Sequence, residues 1–88
     1  MKHYAFQEIS VDKVEVLKEK ILANIRLIHR GVFMVSISTD DGDLVHKRFV
    51  QLETGENKLE MPLQGLNKGQ YVLTLLKGNN LVKQRFAC

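Results

Sequence analysis

The stretch LNKGQYVLTLLKGNN, residues 66–80, decides how this chain folds. Every second side chain in its middle is large and apolar or aromatic, and this spacing places those side chains on one face of an extended strand. The residues that share this face are Tyr71, Leu73 and Leu75. Gly69 and Gly78 bracket the run, and glycine favours tight turns because it accepts positive φ angles. The stretch therefore predicts a half-buried strand between two turns.

The same pattern of alternation and turns divides residues 31–88 into five short strands. Turn residues cluster in four places, which are 40–43, 54–56, 67–69 and 78–80. Two more apolar rows with a period of two lie between them, Phe33, Val35 and Ile37 in one and Leu59, Met61 and Leu63 in the other. Gly42 is the glycine of the first, acidic turn, and we expect it to be a structural turn residue like Gly69 and Gly78.

Two segments alternate less regularly and carry basic residues. Residues 44–52 and 81–87 contain charged side chains within otherwise extended sequences. Charge at a sheet edge discourages pairing with another chain, so these segments are predicted to be edge strands. Pro62 lacks a backbone donor and marks its strand as an edge or a bulge.

The first third of the chain fits two structures. Ser10 is a suitable helix cap, and the apolar spacing from residue 11 to 29 follows the helical period up to a C-terminal Gly31. The positions that follow this period are Val11, Val14, Leu17, Ile21, Ile25 and Ile28. A different set alternates with a period of two on either side of a polar break at 18–20, namely Val14, Val16, Ile21, Ala23, Ile25 and Leu27. Pattern alone leaves the helix and the two strands both open.

Several motifs between Phe33 and Ala87 occur together in a known family. The strand VSIS leads to the acidic turn at Gly42, a later glycine turn leads to LEMPL, and Gly69-x-Tyr71 opens a strand that a glycine turn joins to a basic final strand. This sequence resembles the C-terminal sorting domains of proteins exported by the bacterial type IX secretion pathway, and small secreted immunoglobulin-like domains related to them. The chain departs from the family in lacking a proline-rich entry and in ending Phe86-Ala87-Cys88, where further lysines are common.

The resemblance implies an all-β, immunoglobulin-like antiparallel sandwich of about seven strands. Its first two strands would lie near residues 13–17 and 21–28. The alternative is an α+β fold in which a helix over 11–29 packs on a five-stranded antiparallel sheet. Either way, 88 residues suffice for one domain over residues 1–88, in which 1–12 is an extended N-terminal segment.

The resemblance further implies a non-catalytic sorting or binding module. An export or surface-attachment machine would recognise it through the C-terminal hairpin, by strand addition or by charge. The candidate partner-binding residues are Lys77, Lys83, Arg85 and Phe86. The alternative role for the same basic residues is protection of a sheet edge, where lysines are common. Tyr71 is interpreted as scaffold, with a buried ring and a hydroxyl that finds a backbone partner.

The alternative function is a small structural or adaptor sandwich of a cell surface or a virion, assembling with itself or a partner through an exposed strand. It rests on apolar residues placed opposite the core rows, which are Val32, Met34, Leu76 and Leu81. These side chains would otherwise pack under the N-terminal segment.

Composition and motifs argue against other classes. A hydrophobic share of 44% with 26% charged residues is typical of a globular protein. No catalytic motif and no cofactor or metal site is recognisable: His3, His29, His46 and the lone Cys88 lack ligand spacing, and the aspartates around Gly42 lack the distant glutamate of an EF-hand. We expect no enzyme, cofactor or metal.

Charge and hydropathy limit the partners and the compartment. The net charge of +3 comes from interleaved basic and acidic residues, without the basic stripe and aromatic spacing of a nucleic-acid binder. No apolar run approaches the roughly 18 residues of a membrane-spanning helix. No signal peptide is recognisable at the start of the chain. If the resemblance holds, the protein is secreted or lies at the cell surface.

Overall fold

The computed structural model describes residues 9–63 and 67–88, and these ranges form seven antiparallel strands. The strands are β1 (Ile9–Val16), β2 (Lys20–Leu27), β3 (Gly31–Thr39), β4 (Leu44–Leu52), β5 (Gly55–Pro62), β6 (Gln70–Lys77) and β7 (Asn80–Ala87). No helix occurs in these described ranges. This confirms the predicted all-β class.

The strands form two sheets. The smaller sheet has the order β1-β2-β5, and the larger sheet has the order β4-β3-β6-β7. The chain crosses from one sheet to the other after β2, after β4 and after β5, as it does in immunoglobulin-like sandwiches. All neighbouring strands are antiparallel, so the predicted seven-stranded antiparallel sandwich is confirmed.

The core lies between the two sheets and consists of the inward-facing residue at every second position. The alternation predicted for β3, β5 and β6 is confirmed, because all three apolar rows are buried. The buried apolar residues are Ile9, Ile21, Ala23, Ile25, Leu27, Phe33, Val35, Ile37, Leu52, Leu59, Met61, Leu63, Tyr71, Leu73, Leu75 and Phe86. They form one cluster, so removal of apolar surface from water holds the two layers together.

The helix predicted as an alternative for residues 11–29 is wrong. This region forms β1 and β2, which pair with each other from Ile9↔Leu27 to Val16↔Ile21. Alternate residues of β2 are buried, from Ile21 through Ile25, while Arg26 next to them is exposed. The strand period, and not the helical period, describes this region because β2 lies between β1 and β5 and buries its whole apolar row against the larger sheet. The N-terminal segment expected to be extended comprises residues 1–12. Its residues 9–12 belong to β1, and its residues 1–8 lie outside the described part.

The predicted edge strands are confirmed. β4 and β7 are the two outer strands of the larger sheet, and β5, which contains Pro62, is an outer strand of the smaller sheet. A proline is tolerated at an edge because no neighbouring strand needs its missing N–H group.

Candidate recognition surface

The C-terminal hairpin pairs β6 with β7 over its full length, from Gln70↔Ala87 to Lys77↔Asn80. Gly78 in its turn has a φ of 59°, and Gly42 in the β3–β4 turn has a φ of 94°. L-residues with a side chain rarely adopt these angles, so glycine is the residue that suits both turns. Gly69 precedes β6 with a φ of 157°, and its carbonyl accepts a 3.0 Å hydrogen bond from the amide of Cys88.

Tyr71 joins this hairpin to the core. Its ring is buried, and its hydroxyl donates a hydrogen bond of 2.5 Å to the backbone carbonyl of Asn67. A tyrosine at the start of this strand, bonded to backbone a few residues upstream, is the tyrosine corner of immunoglobulin-like sandwiches. The bond fixes the turn before β6, so Tyr71 has a scaffold position.

Replacement of Tyr71 with phenylalanine tests this role. The variant keeps the buried ring but loses the hydroxyl, and it is expected to lower the free energy of unfolding by about 1 kcal/mol. Urea unfolding followed by circular dichroism measures the difference, with Tyr71→Ala as a more severe comparison. A Tyr71→Phe variant as stable as the unmodified protein would show that the bond to Asn67 contributes nothing.

Two of the four predicted partner-binding residues lie together on the solvent side of the larger sheet. Lys83 is paired with Thr74 and Arg85 with Val72, both at positions that face away from the core. Both side chains are exposed. The only ion pair recorded for Arg85 within the described residues is with Asp40, at 3.7 Å. An exposed pair of this length is worth well under about 1 kcal/mol, so Arg85 can exchange it for a partner.

Lys77 lies elsewhere. Its Nζ donates a 3.0 Å hydrogen bond to the carbonyl of Arg30 and lies 5.7 Å from the centre of the Phe33 ring. The side chain passes directly over Gly31, where an added Cβ would lie 2.6 Å from Lys77 Cε. Lys77 thus fastens the end of β6 to the start of β3, and it is separated from Lys83 and Arg85.

Phe86 faces inward. It is 8% exposed and stacks on Tyr71 with ring centres 5.8 Å apart. This is the position of a core residue. Binding of a partner by Phe86 stays a prediction, and it would require the hairpin to open.

The solvent side of the larger sheet, called the outer face below, carries an apolar row that crosses all four strands in register. The row consists of Phe49, Met34, Leu76 and Leu81. Three of its members were expected on this side from the sequence, and Val32 lies beside them on β3. Phe49 was missed because β4 alternates poorly. Phe49 is two residues away from the polar Lys47 and from the polar Gln51, so these three side chains share one side of β4. Val50 and Leu52 point to the other side, and this alternation is the signal that places Phe49 on the solvent side.

The other residues considered for chemistry do not assemble into a site. In the described ranges, no three or more His, Cys, Asp or Glu side chains are placed to hold a metal ion, and His3 lies outside those ranges. Asp43 belongs to the β3–β4 turn, where its amide bonds to the Thr39 hydroxyl at 3.0 Å. Partial burial raises the pKa of the Cys88 thiol, which disfavours the nucleophilic thiolate.

No helix in the described part of the chain has the length and hydropathy to cross a membrane. This agrees with the absence of a long apolar run in the sequence.

Comparison with solved structures supports the fold. A crystal structure of selenomethionine-labelled β-glucosidase from Kluyveromyces marxianus matches 91% of this chain with a TM-score of 0.56 and 14% sequence identity. The match covers 14% of that enzyme's chain. At this identity the likeness concerns the fold alone, and the glucosidase activity is said only of that protein.

Comparison with protein families is more specific. None of the curated proteins matches the sequence. The family described as the secretion system C-terminal sorting domain matches residues 23–87, which is most of the chain. The match includes β3 to β7 with the hairpin, and residues 23–27 of β2. This chain therefore belongs to the family of secretion system C-terminal sorting domains.

Proposed function

We propose that this domain is a non-catalytic tag that the type IX secretion machinery recognises through the solvent side of its C-terminal hairpin. Membership of the sorting-domain family is the observation that carries this proposal. The protein to which the tag is joined would accordingly reach the cell exterior or the cell surface.

The hairpin supplies the point of contact. β7 is an outer strand of the larger sheet, and an edge strand can accept a strand from a partner through backbone hydrogen bonds. Lys83 and Arg85 project from the same strand into solvent, where they attract an acidic partner and orient its approach. Lys77 and Phe86 hold the hairpin in the sandwich and form no part of this solvent-facing surface, because both are engaged with other residues of the sandwich.

The proposal excludes catalysis by the domain itself. The described side chains hold no metal-ligand cluster, and the reactive groups noted in the sequence belong to turns or are dispersed.

The alternative, a module that assembles with its own copies, draws support from the exposed apolar row. However, Lys47, Lys83 and Arg85 lie on the same outer face, and two copies placed face to face would bring like charges together. Sedimentation at high protein concentration distinguishes the two, since the sorting tag is expected to remain monomeric.

Fusion to a reporter tests the proposed function. A fluorescent protein carrying residues 1–88 at its C-terminus is expected to leave cells that have a working type IX pathway, and to remain inside cells in which that pathway is inactivated. The exported fraction is measured by immunoblotting medium and cells. Retention in both strains would contradict the proposal, as would export that does not depend on the pathway.

A further inference from the structure

The apolar row on the outer face is unusual for the surface of a small domain. Its two ends protrude, with Phe49 70% and Leu81 53% exposed, while Met34 and Leu76 between them are half-buried. The row is continuous because its members are register partners across β4, β3, β6 and β7. Contiguous apolar surface in water is costly, and patches of this kind mark binding sites.

Basic residues border the apolar row on one side. The next row of the outer face reads Lys47, Ser36, Thr74 and Lys83 across the sheet, and Arg85 lies in the row beyond. Ser36 is only 6% exposed, so the middle of this second row is lower than its two lysine ends. None of the outward-facing strand residues of the larger sheet is acidic.

The solvent side of the smaller sheet differs from the outer face in every one of these respects. It carries ion pairs between neighbouring side chains: Lys13–Glu15 at 3.1 Å within β1, and Lys20–Glu60 at 3.2 Å and Arg26–Glu56 at 3.1 Å between β2 and β5. The charges on the smaller sheet are thus balanced by neighbours, whereas on the outer face no acidic outward-facing strand residue offsets Lys47 or Lys83, and Arg85 has only the 3.7 Å pair with Asp40 of the β3–β4 turn. Solubility alone would favour the balanced arrangement on both sides.

We propose that the whole outer face, from Phe49 on β4 to Leu81 on β7, is the docking surface for a protein of the export machinery. The matching surface of that protein is apolar in its centre and acidic beside it. This inference rests on the proposed function and extends it, because it adds β4 and the apolar row to the hairpin residues Lys83 and Arg85.

The charge and shape of the face favour this partner over two others. A second copy of the chain would place Lys47 and Lys83 against the same residues, which repel one another. A lipid surface would favour a broad apolar area, whereas this row, which has Val32 beside it, is bordered on its other side by the depression at Ser36 and by the polar Thr74. An acidic protein surface with an apolar ridge satisfies both the basic and the apolar parts.

Paired substitutions in the reporter fusion test the inference. Phe49→Ser with Leu81→Ser removes both protruding ends of the row, and the exported fraction is expected to fall at least about ten-fold, as for loss of two hot-spot contacts of an interface. The matched control is Val16→Ser with Ile28→Ser, which removes two exposed apolar side chains that lie outside the larger sheet. The control is expected to be exported within about two-fold of the unmodified fusion, the difference expected of exposed positions outside an interface.

Urea unfolding of each variant confirms that it folds. A photo-crosslinking residue placed at position 49 is also expected to form an adduct with an export-pathway protein in exporting cells, whereas one at position 58 on the smaller sheet is not. This second measurement decides the question if the double variant fails to fold.

The outcomes separate this inference from the proposed function. Failure of the unmodified fusion to depend on the pathway overturns both. Pathway-dependent export that is unaffected by the Phe49 and Leu81 substitutions overturns the docking surface and leaves the sorting role intact. If the purified domain binds phosphatidylglycerol vesicles and the variant with Phe49→Ser and Leu81→Ser does not, the face is assigned to a membrane instead. If the domain forms dimers in sedimentation and the same variant does not, the face is assigned to self-association.

Discussion

Replacement of Phe33 with alanine is expected to lower the free energy of unfolding by about 3 to 5 kcal/mol. Phe33 is 1% exposed and lies in the inward row of β3, between the two sheets. Truncation removes its contacts and leaves a cavity that a sandwich closed by strands on both sides cannot readily collapse. It also removes the ring beside the Lys77 ammonium.

The chain supplies its own control for this prediction. Phe49→Ala makes the same chemical change on the neighbouring strand, but at a side chain that points into solvent. This control is expected to change the stability by no more than about 0.5 kcal/mol, because exposed positions contribute little to folding. Urea unfolding of both variants at one pH and temperature measures the difference.

The comparison bears on the fold directly. A domain of this size has a stability of about 5 to 10 kcal/mol, so the Phe33 variant should unfold at a much lower urea concentration. Equal losses for Phe33→Ala and Phe49→Ala would contradict the assignment of inner and outer sides to the larger sheet.

Local sequence was sufficient for the strands in the second part of the chain. The alternation in β3, β5 and β6 is regular because one side of each strand is buried in the core and the other is not. Turn residues such as Gly42 and Gly78 mark the strand ends, since the backbone there requires positive φ. Basic residues in β4 and β7 indicated edge strands, because charge at an edge discourages pairing with another chain, and both strands do lie at the edges of the larger sheet.

Local sequence was insufficient for β1 and β2. Their apolar residues satisfy both a helical period and a strand period, and what decides between the two is the pairing of β2 with β5. Lys20 and Pro62, which are register partners in this pairing, are far apart along the chain. No local pattern encodes such a contact, so the family resemblance carried the prediction of strands in this region.

The candidate site was only partly accessible to sequence reasoning. Arg85 and Phe86 are neighbours in one strand, so their side chains must point to opposite sides, and they cannot belong to one surface. The hydrogen bond from Lys77 to the Arg30 carbonyl forms because β3 lies beside β6 in the sheet. The residues around Lys77 in the sequence do not indicate this pairing. The position of Phe49 in the apolar row depends on the register between β3 and β4.

Reversal of charge on the hairpin is expected to have the largest effect on function. Lys83→Glu with Arg85→Glu turns two outward positive charges of β7 into negative ones, so that attraction to an acidic partner becomes repulsion. The exported fraction of the reporter fusion is expected to fall at least about ten-fold, since close charge pairs at interfaces are each worth about 1.5 kcal/mol or more. Stability should change by less than about 1 kcal/mol, because both residues are exposed and the pair with Asp40 is weak.

The matched control makes the same change in net charge on the other side of the sandwich. Lys13→Glu with Lys58→Glu alters two exposed lysines that both lie beside Asn24 on the solvent side of the smaller sheet. Both fusions then have the same net charge, so a general effect of charge on export would affect them equally.

The ratio of exported reporter between these two double variants tests the central claim most directly. Recognition of the folded domain through the solvent side of its C-terminal hairpin predicts that the variant at Lys83 and Arg85 is retained in the cell, while the variant at Lys13 and Lys58 is exported like the unmodified fusion. Equal export of the two variants, with both folded, would contradict the account.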